Sequence, residues 1–187
     1  MGTYTSLAGA VRIKNEYKDL VSKFANYEYS DYMENETKRN EEKYLFVKEF
    51  FKTDHADWIP NNNPLSTYFD EEFFKNRFED GIWYFSSDLK NYEDETTGLS
   101  PIQSFFENIL ENVVEEILLL ETSSDYRSAI AQYNFSDDRK IIQINYIDLE
   151  RDTTPTYGWM AEDEEDIIDA FESYKRKNKL DVYNIYK

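Results

Sequence analysis

The sequence predicts one α+β domain over residues 1–187, built on an antiparallel sheet of about five or six strands with helices packed on one face. Short apolar runs separated by tight-turn residues are typical of antiparallel hairpins. One longer stretch, 101–120, instead repeats its apolar residues with the period of a helix. Aromatic residues make up 17% of the chain, and such side chains bury large areas in folded domains.

The first three predicted elements are one strand and two helices. Residues 4–14 carry apolar side chains at alternating positions, which predicts a strand. Helical spacing predicts a helix over 16–24 and a second one over about 41–52, where an apolar stripe lies beside a charged face. We interpret 25–60 as a helical insertion in the domain.

Three aromatic runs follow, at 65–69, 73–78 and 82–89. The last two are joined through Asp80-Gly81, a dipeptide that favours the two-residue turn of a β-hairpin. The sequence therefore predicts a hairpin at this point. The apolar spacing over 70–77 fits both a strand and a helical turn.

The longest predicted helix covers 101–120. Ser100 has the character of an N-cap, Pro101 suits the first helical position, and Gln103 completes a capping box. An unbroken apolar stripe then follows, opposite a face of glutamates. From this stripe we expect the following core positions: Phe105, Phe106, Ile109, Val113 and Ile117.

The C-terminal part predicts a second hairpin and a last helix. Strand-like runs at 129–135 and 140–147 flank the turn residues 136–139. A helix over about 162–177 has acidic residues at its start and basic residues at its end, which matches the helix dipole. We interpret 148–187 as a C-terminal helical addition.

Charge and composition exclude several classes of function. The net charge of −18 argues against direct binding to nucleic acid or to an anionic membrane, because their phosphates would repel the protein. The chain has no Cys, so thiolate metal sites and cysteine nucleophiles are excluded. The glycines are too scattered for a phosphate-binding loop. The longest aliphatic run, 117–120, is far short of a membrane span, so we expect a cytoplasmic protein. We also expect no cofactor.

Few residues suit catalysis. The single histidine, His55, has two aspartates nearby, and we interpret it as a solvated loop residue rather than a metal ligand. Asp-x-Lys pairs at Asp88/Lys90 and Asp138/Lys140 resemble those of metal-dependent nucleases, and a small enzyme using Asp88, Asp138 and a divalent metal is a third interpretation. Nucleases also need a basic surface for their substrate, so we expect no enzymatic activity.

The acidic surface itself is the clearest functional signal, since its acids lie next to aromatic residues. Tyrosine beside carboxylates gives rigid contact area next to charge, as recognition surfaces do. The acidic run 162–166 lacks the pattern of a calcium-binding loop, so we predict no metal site there. The predicted partner-binding residues are Tyr68, Asp70, Glu71, Glu72, Trp159, Glu162, Asp163, Glu164, Glu165 and Asp166.

Three segments resemble a known group of proteins. The opening Met1-Gly2-Thr3-Tyr4-Thr5, the run 83–92 that ends in Asp-Leu-Lys-Asn-Tyr, and the tyrosine-containing hairpin at 133–146 resemble small acidic phage and prophage proteins. The resemblance covers 1–24 and 65–146. It implies an α+β fold and an origin in a phage or mobile element, but the group has no assigned activity, so it implies no functional residues.

Together these observations predict a phage-encoded, non-enzymatic inhibitor of a basic host protein that handles nucleic acid, such as a CRISPR effector or a restriction enzyme. Duplex DNA carries one charge per ~1.7 Å of its axis, so 18 charges match about nine base pairs. The inhibitor would therefore act by occlusion or nucleic-acid mimicry in the bacterial cytoplasm. The alternative is an immunity or antitoxin protein that neutralises a basic nuclease toxin.

Overall fold

The computed structural model of the protein describes residues 4–26, 44–61, 76–124 and 129–148. Within these ranges, six strands form one antiparallel sheet with the order β2-β3-β1-β4-β5-β6. The strands are β1 (Tyr4–Ile13), β2 (Arg77–Glu79), β3 (Ile82–Lys90), β4 (Val114–Ser124), β5 (Ala129–Phe135) and β6 (Ile141–Asp148). The predicted α+β class with an antiparallel sheet is confirmed.

In the described part of the chain, four helices pack on one face of this sheet. They are α1 (Lys18–Ala25), which follows a 3-10 turn at Asn15–Tyr17, α2 (Leu45–Phe50), α3 (Trp58–Asn61) and α4 (101–113). Aromatic contacts fix the packing, because Phe24 of α1 and Phe105 of α4 both contact Trp83 on β3, with ring centroids 6.1 and 5.6 Å away.

Both predicted hairpins are confirmed. Asp80 and Gly81 join β2 to β3 with φ values of 52° and 80°, the left-handed pair that a two-residue type I′ turn requires. The turn at 136–139 joins β5 to β6, and there Arg139 has a φ of 65°. The predicted first strand is also confirmed as β1, and the predicted helix over 16–24 as the 3-10 turn followed by α1.

Helix α4 begins as the sequence predicts. Ser100 Oγ accepts the Gln103 backbone N–H at 3.3 Å, and Gln103 Oε1 accepts the Ser100 backbone N–H at 3.1 Å, which completes the capping box. After the regular turn at Pro101–Ser104, the helix widens into a π-helix over Phe105–Leu110 and ends at Glu111–Val113. π-Helical turns are rare and are frequently found at functional sites.

The prediction that this helix continues to Leu120 is wrong, because β4 begins at Val114. Two basic residues bind carbonyls on the two sides of this change, Lys14 those of the last helical residues and Arg139 those of the first strand residues. Lys14 donates its backbone N–H to Val113 O at 3.0 Å and its ammonium to Asn112 O at 2.6 Å. Arg139 donates to Val114 O at 2.6 Å and to Glu115 O at 3.0 Å. These carbonyls already accept hydrogen bonds from Lys14 and Arg139. They therefore do not accept hydrogen bonds from a further helical turn, and the chain continues into the sheet.

The expected core positions are all buried. Phe105, Phe106, Ile109 and Val113 lie on α4, whereas Ile117 is buried on β4 rather than on a helix. The helical period does not describe the strand, because positions three apart lie on opposite faces of a β-strand, whereas positions two and four apart share one. Each of these five residues belongs to one apolar core between the helices and the sheet.

The other face of the sheet is buried too, but its side chains are small or polar. Glu121 on β4 is fully buried, and its Oε1 accepts a hydrogen bond of 2.7 Å from Gln132 on β5. Gln132 in turn accepts one of 3.1 Å from Asn145 on β6. Buried neighbours on this face of β1 and β3 are Ser6, Ala8, Ala10 and Ser86. Hydrogen bonds of this kind offset the cost of removing polar groups from water.

Several predicted elements cannot be compared with the fold. The aromatic run 65–69, most of the run 73–78 and the helix over 162–177 lie outside the described residues. The helix predicted over about 41–52 is present as α2, within the part of that range that is described. The interpretations of 25–60 as an insertion and of 148–187 as an addition stay predictions. In the described ranges, no helix combines the length and apolar character that a membrane span needs.

Gly9 gives a direct test of this packing. A β-carbon at Gly9 would overlap the ring of Phe85, with Cε2 only 2.7 Å away, and Phe85 is fully buried, so its ring cannot move aside freely. We expect Gly9→Ala to lower the free energy of unfolding by about 1–3 kcal/mol, measured by urea denaturation.

The matched control for this substitution is the same change in a Phe85→Leu background. The shorter side chain relieves the overlap, so Gly9→Ala should cost less there than in the wild-type protein. An equal cost in both backgrounds would show that the ring of Phe85 does not set the requirement for glycine.

Candidate partner-binding cleft

The ten residues that the sequence predicts to bind a partner lie outside the described residues, so their role stays a prediction. Three candidates for catalysis fall inside the described ranges. Asp88 lies on β3, Asp138 lies in the turn between β5 and β6, and His55 lies in the turn before α3. Nothing is described of the Asp88 side chain, so the interpretation that joins it with Asp138 stays untested.

His55 occupies an exposed turn, as predicted for a solvated loop histidine. Its φ of 61° lies in the left-handed region, and its ring lies 4.8 Å from that of Trp58. Within the described ranges, no group of three or more His, Asp or Glu side chains is placed to hold a metal ion.

Asp138 is not the ion-pair partner of Lys140, the second member of its predicted pair. The Asp138 carboxylate accepts a hydrogen bond from the hydroxyl of Ser136 within the turn, and this bond is the main cause of the lowered pKa of Asp138. Lys140 instead contacts Glu111 on α4, with Nζ 2.6 Å from Oε2. The two residues therefore stabilise the hairpin and its contact with α4.

An open cleft of about 840 Å³ lies between α4 and the strands β4, β5 and β6. Its volume falls within the range of ligand-binding sites in proteins. Ile102 and Phe106 of α4 form one wall, and Tyr133 and Ile141 of the hairpin form the other. The loop between β3 and α4 closes one end of the cleft through Asn91 and Glu93.

Two aromatic rings meet inside the cleft. Phe106 and Tyr133 form an edge-to-face pair with centroids 5.0 Å apart and planes at 69°. The Tyr133 hydroxyl lies 3.1 Å from the hydroxyl of Thr122 on β4. The cleft therefore combines an apolar surface with hydroxyl oxygens at its base.

The two walls are held together by Glu111. Its carboxylate binds the ammonium of Lys140 at 2.6 Å and accepts the Ile141 backbone N–H at 3.0 Å. The hydrogen bond and negative charge of Glu111 raise the pKa of Lys140, so Lys140 keeps its positive charge. The negative charge of Glu107 contributes to this raised pKa as well, whereas the ion pair itself is with Glu111.

The N-terminus of α4 offers no free donors to the cleft. Pro101 has no N–H, the Ile102 N–H donates to Asn91 Oδ1 at 3.0 Å, and the Gln103 N–H donates to Ser100 Oγ at 3.3 Å. A helix N-terminus often binds anions through such groups. Here the protein itself occupies them, so this end of α4 is not an anion site.

Much of the cleft lining comes from a stretch of the described chain that is acidic and has no basic residue. Residues 91–124 contain eight Asp and Glu and no Lys or Arg. Glu93 and Glu107 line the cleft with exposed side chains, and neither makes an ion pair with the described residues. The exposed ring of Tyr92 precedes Glu93. The cleft therefore presents uncompensated negative charge next to aromatic surface.

Asp94 fixes the loop that carries Glu93. Its Oδ1 accepts the backbone N–H groups of Thr97 at 2.7 Å and Thr96 at 2.9 Å, and its Oδ2 accepts that of Asp54 at 3.3 Å. These bonds, first of all the one from Thr97, lower the pKa of Asp94 because they stabilise its charged form. The loop is thereby tied to the turn before α3.

Sequence reasoning did not find this cleft. No family model, curated protein or solved structure matches the chain. The resemblance to small acidic phage and prophage proteins therefore stays a prediction. The signal that could have indicated the cleft is the run of 34 residues, 91–124, without a single positive charge.

The loop of Asp94 gives a prediction about pH. A carboxyl group whose pKa is lowered by folding stabilises the protein above the pKa of the unfolded chain, about 3.9 for Asp, and loses this effect as the pH falls through the folded value. We expect Asp94→Asn to lower the melting temperature at pH 7. The difference from the wild type should shrink below about pH 4.

The control is Asp57→Asn, which removes an exposed aspartate in the neighbouring turn. It should leave the melting temperature nearly unchanged at both pH values. If Asp94→Asn gives the same difference from the wild type at pH 7 and at pH 3, its charge does not stabilise the loop.

Proposed function

We propose that the protein is a non-enzymatic inhibitor that binds a basic, nucleic-acid-handling protein and occupies the surface on which nucleic acid would lie. Phage origin, a location in the bacterial cytoplasm and a host defence protein as the target belong to this proposal. The observation that carries it is the acidic cleft, where Glu93 and Glu107 are exposed beside the Phe106–Tyr133 pair.

Charge and contact area have separate roles in such a complex. Uncompensated acids attract a basic partner over distance and raise the association rate. Aromatic anchors such as Tyr92, half of whose surface is exposed, would slow dissociation, since most differences in affinity between related complexes arise there. The acidic and aromatic segments at 68–72 and 159–166 extend the same chemistry along the chain.

The acids can replace phosphates only if they stay exposed and charged. Of the cleft acids, Glu93 and Glu107 meet this condition, because both side chains are exposed and neither makes an ion pair with a described residue. The nearest cation on the facing hairpin, Lys140, is bound to Glu111. A basic partner would therefore reach Glu93 and Glu107 without breaking an existing ion pair.

Affinity capture from infected and uninfected bacterial lysates identifies the partner, and charge reversal then tests the mode of binding. We expect Glu93→Lys with Glu107→Lys to weaken binding to the captured protein on the order of tenfold or more, because like charges across an interface are strongly unfavourable. Affinity should also fall as salt is raised from 0.05 to 0.5 M, on the order of the range over which screening develops.

The matched control is Glu115→Lys with Asp137→Lys, which makes the same change in net charge at exposed positions outside the cleft. It should slow association but should not cause the additional loss of affinity that the reversal in the cleft causes. Nucleic acid bound to the target should compete with the protein. Binding that is insensitive to salt, to both reversals and to nucleic acid would contradict the proposal. Capture of a basic nuclease toxin would instead indicate the immunity or antitoxin function.

A further inference from the structure

We infer that the cleft between α4 and the β5–β6 hairpin receives an arginine side chain. This inference rests on the proposed function, since it names the group of the basic partner that the cleft takes. It depends on the chemistry of the cleft walls rather than on the net charge of the chain, and three features of those walls carry it.

The first feature is that the cleft supplies hydrogen-bond acceptors, so it suits a ligand that donates hydrogen bonds. Glu93 and Glu107 contribute exposed carboxylates, and the backbone N–H groups at the start of α4 are already bound by Asn91 and Ser100. A guanidinium group has five N–H donors and no acceptor. An anionic ligand would meet these two carboxylates, no free helix donor, and one ammonium, that of Lys140, which Glu111 already binds.

The second feature is the aromatic and aliphatic surface of the same cleft. Tyr133 and Ile141 are half-buried there, and the ring of Tyr133 is held by the buried ring of Phe106, 5.0 Å away. A guanidinium plane stacks on aromatic rings, and its three-carbon stem packs on aliphatic side chains. An ammonium group is more strongly hydrated and makes no planar contact, so the surface favours arginine over lysine.

The third feature is the π-helix that forms the wall. Phe106 and Glu107 both lie in the π-helical segment Phe105–Leu110, where the Glu111 N–H bonds to the Phe106 carbonyl five residues earlier. Such a wide turn is less favourable than a regular one and recurs at functional sites. Asn112 stabilises it by donating to the carbonyls of Glu107 and Asn108 at 3.3 and 3.0 Å.

The test uses N-acetyl-arginine amide as the probe and follows the backbone amide signals of the ¹⁵N-labelled full chain. We expect saturable shifts at Ile102, Glu107, Tyr133 and Ile141. N-acetyl-citrulline amide, which has nearly the same shape without the charge, should give no saturable shifts there. N-acetyl-lysine amide should bind more weakly than the arginine derivative.

Variants of the acidic rim locate the interaction. Glu107→Gln and Glu93→Gln should each weaken binding of the arginine probe about two- to fivefold, the range expected for an exposed ion pair. Glu115→Gln removes the same charge from β4 outside the cleft and should leave binding within about 1.5-fold, since distant charges are screened. Unchanged melting temperatures show that each variant is folded.

The outcomes separate this inference from the proposed function. Equal binding of the citrulline derivative, equal or tighter binding of the lysine derivative, or shifts confined to surfaces outside the cleft would overturn the arginine assignment. None of these results bears on whether a captured basic protein is bound through acidic residues. Conversely, saturable arginine binding in the cleft would support the inference even if no captured protein responded to charge reversal.

Discussion

The change from helix α4 to strand β4 is the point on which the rest of the described structure depends. Lys14 binds the carbonyl of Asn112 near the end of the helix, Arg139 binds that of Val114, and the chain enters the sheet directly at Val114. Burial lowers the pKa of Lys14, and the charge of Arg139 lowers it further, so two cations share one small region. Their attraction to the negative end of the helix offsets this repulsion.

The same contacts decide which charges remain for binding. Arg139 also lies 3.7 Å above the ring of Phe135, and Lys140 is bound to Glu111. The two cations of the hairpin are thus used to hold β5 and β6 against α4 and β4. Glu93 and Glu107, which line the same cleft, make no ion pair with the described residues.

Local chemistry made much of the fold predictable. The turn at Asp80-Gly81 and the capping box at Ser100 depend on residues close in sequence, so their patterns could be read directly. The end of α4 could not, because its cause is a contact with Arg139, 25 residues away from Val114. The cleft was missed for the same reason. Its walls come from separate strands and a helix, and its aromatic pair joins Phe106 to Tyr133 across 27 positions of the sequence.

The central claim is that the cleft is a site for positive charge, and paramagnetic relaxation tests it most directly. Two nitroxides of similar size, one with an ammonium group and one with a carboxylate, are added in turn to the ¹⁵N-labelled protein. For each amide, the enhancement by the ammonium probe is divided by the enhancement by the carboxylate probe. The account predicts that this ratio exceeds one at Phe106 and Tyr133 and is larger there than over the basic segment 4–26, which has four Lys and Arg and two acids. Equal ratios at the two places would contradict it.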